Sequence, residues 1–252
     1  SRVWVAWTEY EGELRLARSE DGGKRFEPAL HISGSAEQPT RAPALVMLAD
    51  ERIVMAWTYG EESDADVQLA VSIDHGASFE VLGPALRREG HADAPHLATD
   101  EQGGVHLVFA ESPSGPGGPA RLVYVRSDDD LVFTAPRILP DLTGSDQIHA
   151  GFPQLLTSGS NLVVNWEILH SRSRRSLGMG MIHSDDLGES FGQPQMVPGT
   201  EAPDGGISGG LQGLLMRKTA VGTDGQLLFG HSHFVPDQRS EVLLLRGQLP
   251  RH

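Results

Sequence analysis

Three octapeptides decide how this chain folds: Ser19-Glu20-Asp21-Gly22-Gly23-Lys24-Arg25-Phe26, Ser72-Ile73-Asp74-His75-Gly76-Ala77-Ser78-Phe79 and Ser184-Asp185-Asp186-Leu187-Gly188-Glu189-Ser190-Phe191. All follow the pattern Ser-x-Asp-x-Gly-x-x-Phe. A copy one residue shorter, Ser127-Asp128-Asp129-Asp130-Leu131-Val132-Phe133, lies between the second and third. The aspartates Asp21, Asp74, Asp129 and Asp186 are 53, 55 and 57 residues apart. A near-constant period of this size marks a repeat architecture with one supersecondary unit per repeat.

A second signal runs in phase with the first. Short apolar runs align at residues 3–7, 53–57, 105–109, 162–166 and 226–230, most of them ending in a bulky residue such as Trp7, Trp57, Phe109 or Trp166. β-branched and aromatic runs of this length read as strands. Turn-forming residues precede four of them, at 49–52, 99–104, 157–160 and 223–225, with another apolar run before each, which is the chemistry of a hairpin. A third run follows each, around Leu14, Val67, Arg121, Leu177 and Val242. Each unit therefore reads as strand, hairpin, strand, loop, strand, Asp-containing turn and a weak outer strand. The expected fold is an all-β β-propeller of four-stranded antiparallel blades, filling residues 1–252 as a single domain. Five second strands but four first strands are visible, so five blades are expected, with six as the alternative.

Composition narrows the function. The 252 residues hold 20 Lys plus Arg against 34 Asp plus Glu, a net charge of −14, which argues against a protein that neutralises nucleic-acid phosphates. No apolar run reaches the length of a membrane span. The absence of Cys excludes disulfides, thiolate catalysis and cysteine-ligated zinc. The chain begins at Ser1 without a charged-then-apolar leader and reads as a mature or trimmed product, periplasmic or secreted.

The octapeptides resemble the Asp box of the BNR-repeat propellers, whose best-known members are sialidases. That resemblance implies that Asp21, Asp74, Asp129 and Asp186 accept hydrogen bonds within turns, that the following Gly takes positive φ, and that these aspartates are structural. It also places the turns on one face of the disc. The opposite face then collects the starts of the first strands and the ends of the second strands.

On that face the sequence puts Arg41, Asp93, Glu111 and Glu167 as ligand-binding candidates. His91 and His149 occupy the same position in neighbouring first strands, and His231 and His233 follow the last second strand. Imidazoles converging near an axis suit a divalent transition metal, Cu or Zn. Catalytic sialidases carry Arg-Ile-Pro at the start of an inner strand, an acid Asp on the following loop and a nucleophilic Tyr paired with Glu. Arg41-Ala42-Pro43 is similar to the first, with Ala42 departing from Ile, and Asp64 stands near the place of the acid. Tyr10, Tyr59 and Tyr124 all precede the last two units, where the nucleophile is expected. The sequence thus predicts a sialidase-like binding protein that holds a small molecule, glycan or metal ion at the funnel mouth without sialidase activity. A glycoside hydrolase using Arg41 and Asp64, and a scaffold for a protein partner, are the alternatives.

Overall fold

The computed structural model describes residues 1–61, 65–82, 90–142, 148–173, 175–204, 206–208, 218–222 and 224–249, with the backbone alone at 207 and 208. The described strands form five antiparallel sheets and are joined by turns and loops, with no helix among them. Among the described residues no helix is long and apolar enough to cross a membrane.

Sheet one runs β1 (Val3–Thr8), β2 (Leu14–Ser19), β3 (Leu30–Ser33). Sheet two is β4 (Thr40–Met47), β5 (Ile53–Tyr59), β6 (Asp66–Ser72), β7 (Glu80–Leu82). Sheet three is β8 (His91–Thr99), β9 (Val105–Ser112), β10 (Arg121–Arg126), β11 (Arg137–Ile138). Sheet four is β12 (Ile148–Ser158), β13 (Asn161–His170), β14 (Ser176–Ser184), β15 (Gln195–Met196). In sheet five β16 (Ile207–Ser208) and β17 (Thr219–Val221) share one edge of β18 (Gln226–Phe234), and β19 (Glu241–Gln248) pairs with its other edge. Three sheets thus have the expected four-strand unit. Among the described residues, sheet one lacks the strand inside β1 and sheet five lacks one outside β19, the two places where the sequence shows no strand.

Apolar alternation sends one side of each strand toward each neighbouring sheet. Four separate cores result. Leu14, Leu16, Met55 and Trp57 lie between sheets one and two; Val54, Ala56, Leu107 and Phe109 lie between two and three. Val108, Tyr124, Trp166 and Ile168 fill the space between three and four, and Val163, Met179, Leu227 and Phe229 that between four and five. Trp57, Phe109 and Trp166 all face the preceding sheet and are fully buried. Each contributes roughly 2–3 kcal/mol of apolar burial. Phe229, not Gly230, takes this place in sheet five. The last unit is therefore offset by one residue from the sequence alignment.

The octapeptide turns repeat in three dimensions. The Ser19, Ser72 and Ser184 hydroxyls donate to Asp21, Asp74 and Asp186 and accept the N–H of Gly23, Gly76 and Gly188. Each aspartate then accepts the N–H four residues on, from Arg25, Ser78 and Ser190. Two successive residues take positive φ in each turn, and the second is always Gly: Gly22 and Gly23, His75 and Gly76, Leu187 and Gly188. The short fourth copy differs from expectation. There Asp128, rather than Asp129, accepts the N–H four residues on, from Val132, because the missing residue moves the carboxylate one place toward Ser127.

These turns dock on the sheet before them. The Trp4 indole N–H donates to the His75 carbonyl at 2.9 Å. Tyr124 Oη lies so close to Gly188 that a Cβ built there would meet it at 2.0 Å. That hydroxyl is 2.7 Å from His106 Nδ1, and His106 Nε2 is 3.0 Å from Asp100 Oδ2. Burial holds His106 below the usual imidazole range despite the Asp100 carboxylate, and burial pushes the Tyr124 phenol up. His106 is thus the middle of a buried hydrogen-bonded chain.

Candidate functional site

The innermost strands of sheets two, three and four carry the same irregularity. Between Arg41 and Ala44, Asp93 and His96, and Gly151 and Gln154, two residues oppose one on the neighbouring strand. The first of the two is in the left-handed region in each case: Ala42 (φ 52), Ala94 (φ 54) and Phe152 (φ 50). Each is followed by a proline, Pro43, Pro95 or Pro153. A left-handed non-Gly residue costs about 1–2 kcal/mol. A bulge of this kind re-aims the side chains beside it. The residue-αL-Pro triplet is the one sequence signal that marks the position.

The strand starts are tied to the loops of the sheets before them. Thr40 donates its N–H to Gly12 O at 2.7 Å, Ala92 to Ala65 O at 2.8 Å and Ala150 to Ala120 O at 3.0 Å. These bonds fix the residues just ahead of each bulge.

Arg41 and Asp93, equivalent in sequence, meet across the gap between sheets two and three. Arg41 Nε donates to Asp93 Oδ1 at 3.1 Å and Nη1 to Gly60 O at 2.6 Å, while Nη2 lies 3.3 Å from His91 Nε2. Asp93 Oδ1 also accepts from the Thr58 hydroxyl at 2.9 Å and from the Ala94 N–H at 2.7 Å. Burial pushes the Asp93 carboxyl up, but the His91 ring, Arg41, Thr58 and the Ala94 N–H outweigh it and hold the group at about 2. Asp93 is a fixed anion here. Arg41 is pinned by this set and does not line the cavity described next.

That cavity, of about 70 Å³, lies between sheets three and four. His91, Asp93, Ser112 and His149 supply its polar wall; Ala110, Ala120, Phe152 and Leu169 supply apolar surface, and Gly117 and Gly118 border it from the β9–β10 loop. His91 and His149, equivalent in sequence, both line this cavity. Thr58 and Ser112 carry no motif that would have singled them out.

The two glutamates do not join it. Glu111 continues the Leu107 and Phe109 side of β9 and faces sheet two, where Arg121 Nε donates to its Oε2 at 2.7 Å. Glu167 continues the Val163 side of β13 and faces sheet five, in an ion pair with Lys218. The expected common rim is therefore corrected. Glu111 stands one residue further along its strand than Glu167 does, and a step of one residue reverses the side of the sheet. Lys218, absent from the sequence expectations, neutralises a carboxylate that is 2% exposed.

His231 and His233 lie on β18, on the side facing sheet four. Burial, with His233 and Lys218 nearby, pushes His231 down to about 4. Among the described residues no three His, Asp or Glu side chains come together as a metal-binding group. Asp64 lies outside the described residues.

No family model matches the sequence, and no curated protein is similar to it. Solved structures do match. An α-L-arabinanase from Penicillium chrysogenum is 13% identical at a TM-score of 0.60, with 93% of this chain and 74% of that one covered. An endo-arabinase from Bacteroides thetaiotaomicron is 15% identical at 0.59, over 99% and 90%. A Hadza microbial sialidase is 14% identical at 0.55; the match covers 92% of this chain and 52% of the sialidase. At such identities the likeness is one of fold: the chain is an all-β protein of antiparallel, mostly four-stranded sheets whose structural neighbours are β-propeller glycoside hydrolases.

Proposed function

We propose that this chain is an exported, sialidase-like Asp-box propeller that binds a glycan at the face carrying His91, Asp93 and His149, without hydrolysing it. The five sheets are read as five blades. One observation carries the functional reading: each described candidate carboxylate is already held by a cation, Asp93 by Arg41, Glu111 by Arg121 and Glu167 by Lys218. Glycoside hydrolysis ordinarily needs two carboxyl groups flanking one bond, one of them able to carry a proton at working pH. An Asp93 held at about 2 does not supply that proton. The cavity offers what a sugar edge uses, namely imidazole and hydroxyl partners beside the flat ring of Phe152.

Titration calorimetry with arabino-oligosaccharides and sialyllactose, beside a panel of aryl glycosides, tests the reading. Saturable binding without turnover is expected, and Ala120→Met, which fills the cavity wall, abolishes it. Turnover of any panel member, lost in Arg41→Ala and Asp64→Asn, would replace it with the glycoside hydrolase reading, which the neighbours favour. Neither binding nor turnover would overturn both.

A further inference from the structure

Strand β18 carries two imidazoles on one side. His231 and His233 alternate with Ser232, so both side chains leave the strand toward sheet four. Their rings meet edge to face, with centroids 5.3 Å apart and planes at 86°. The geometry points to a divalent transition-metal site on His231-Ser232-His233, in which one nitrogen from each ring chelates a single ion and water completes the shell.

Two observations carry it. His231 is 4% exposed and hydrogen-bonds the Thr200 backbone. A carbonyl can only accept, so one ring N–H is fixed there and the other nitrogen of the neutral ring carries its lone pair. Ligand histidines are oriented in this way, by a backbone carbonyl on the far side of the ring. Next, His233 Nε2 is buried with no hydrogen-bond partner among the described residues. A polar nitrogen left so costs about 1–3 kcal/mol, which a bound ion would relieve.

Neutral imidazole selects copper, nickel or zinc over magnesium or calcium, and copper(II) is held most tightly of the three. With two protein nitrogens the site keeps open positions. It is separate from the cavity between sheets three and four, and its metal binding is independent of the glycan reading.

Protein stripped with EDTA, loaded with copper(II) and desalted is assayed by elemental analysis and electron paramagnetic resonance. One copper per chain is expected, with a signal showing two coordinated nitrogens. His233→Gln and His231→Gln each reduce retention at least tenfold, whereas His91→Gln and His149→Gln retain it. Circular dichroism melts of the metal-free variants separate loss of ligand from loss of fold. Well under one copper in the parent protein, or full retention by the folded His231→Gln/His233→Gln double variant, would overturn the assignment.

Discussion

The octapeptide turns allow one substitution to be made at two places that differ only in their neighbours. Gly23 and Gly188 occupy the same position of the motif, with φ of +86° and +82°. Alanine in either must adopt a left-handed backbone, at about 1–2 kcal/mol. Beyond Gly23 an added Cβ meets nothing closer than Phe26 and Val3 at 4.0 Å. At Gly188 it meets Tyr124 Oη at 2.0 Å and Cζ at 2.7 Å. Tyr124 is 2% exposed and its hydroxyl is held by His106, so moving it breaks a buried hydrogen bond, at a further cost of about 1–3 kcal/mol. Urea denaturation is therefore expected to give about 1–2 kcal/mol for Gly23→Ala and about 2–5 kcal/mol for Gly188→Ala. In a Tyr124→Phe background the excess at Gly188 shrinks, since the hydroxyl and its bond are already gone. Equal losses at the two glycines, or full additivity with Tyr124→Phe, would refute the claim that the turns are locked by the preceding sheet.

Three further outcomes follow from the charges. Asp93 titrates lower in the folded chain, at about 2, than in the unfolded one, so its contribution of roughly 2 kcal/mol is present above about pH 4 and fades as pH falls toward 2; the stability gap between the parent and Asp93→Asn, followed by urea titration, closes over that window. Metal-free His231 titrates at about 4 when folded, below its unfolded value, so stability falls as pH drops from about 6.5 to 4 while the unfolded ring takes up a proton, and His231→Gln in EDTA flattens that part of the profile. Lys218→Met strands the buried Glu167 carboxylate and is expected to lower stability by about 3–5 kcal/mol, with much of the loss recovered in Lys218→Met/Glu167→Leu, as read by chemical denaturation.

Much of the fold was legible because its signals are local. A five-residue apolar run with a turn before it forms a strand pair wherever it occurs, and Ser-x-Asp-x-Gly closes on itself within eight residues. Where a local signal was degraded the reading slipped by one residue, at Asp128 against Asp129 and at Phe229 against Gly230. The site was legible only in part. His91 and His149 were matched by their place before Pro95 and Pro153, and both line the cavity. Glu111 and Glu167 looked like neighbours on one rim, yet they leave opposite sides of their sheets. Lys218 gave no sign of its role, since its partner lies 51 residues away.

The linear order of residues was enough to establish a repeated four-stranded unit and its turns, because those depend on contacts within about ten positions. Tertiary structure alone decided which side chains share a cavity and which carboxylates keep their charge for a ligand. Such outcomes depend on bulges that rotate a strand by one residue and on cations delivered from a different sheet, and neither leaves a mark at the site itself.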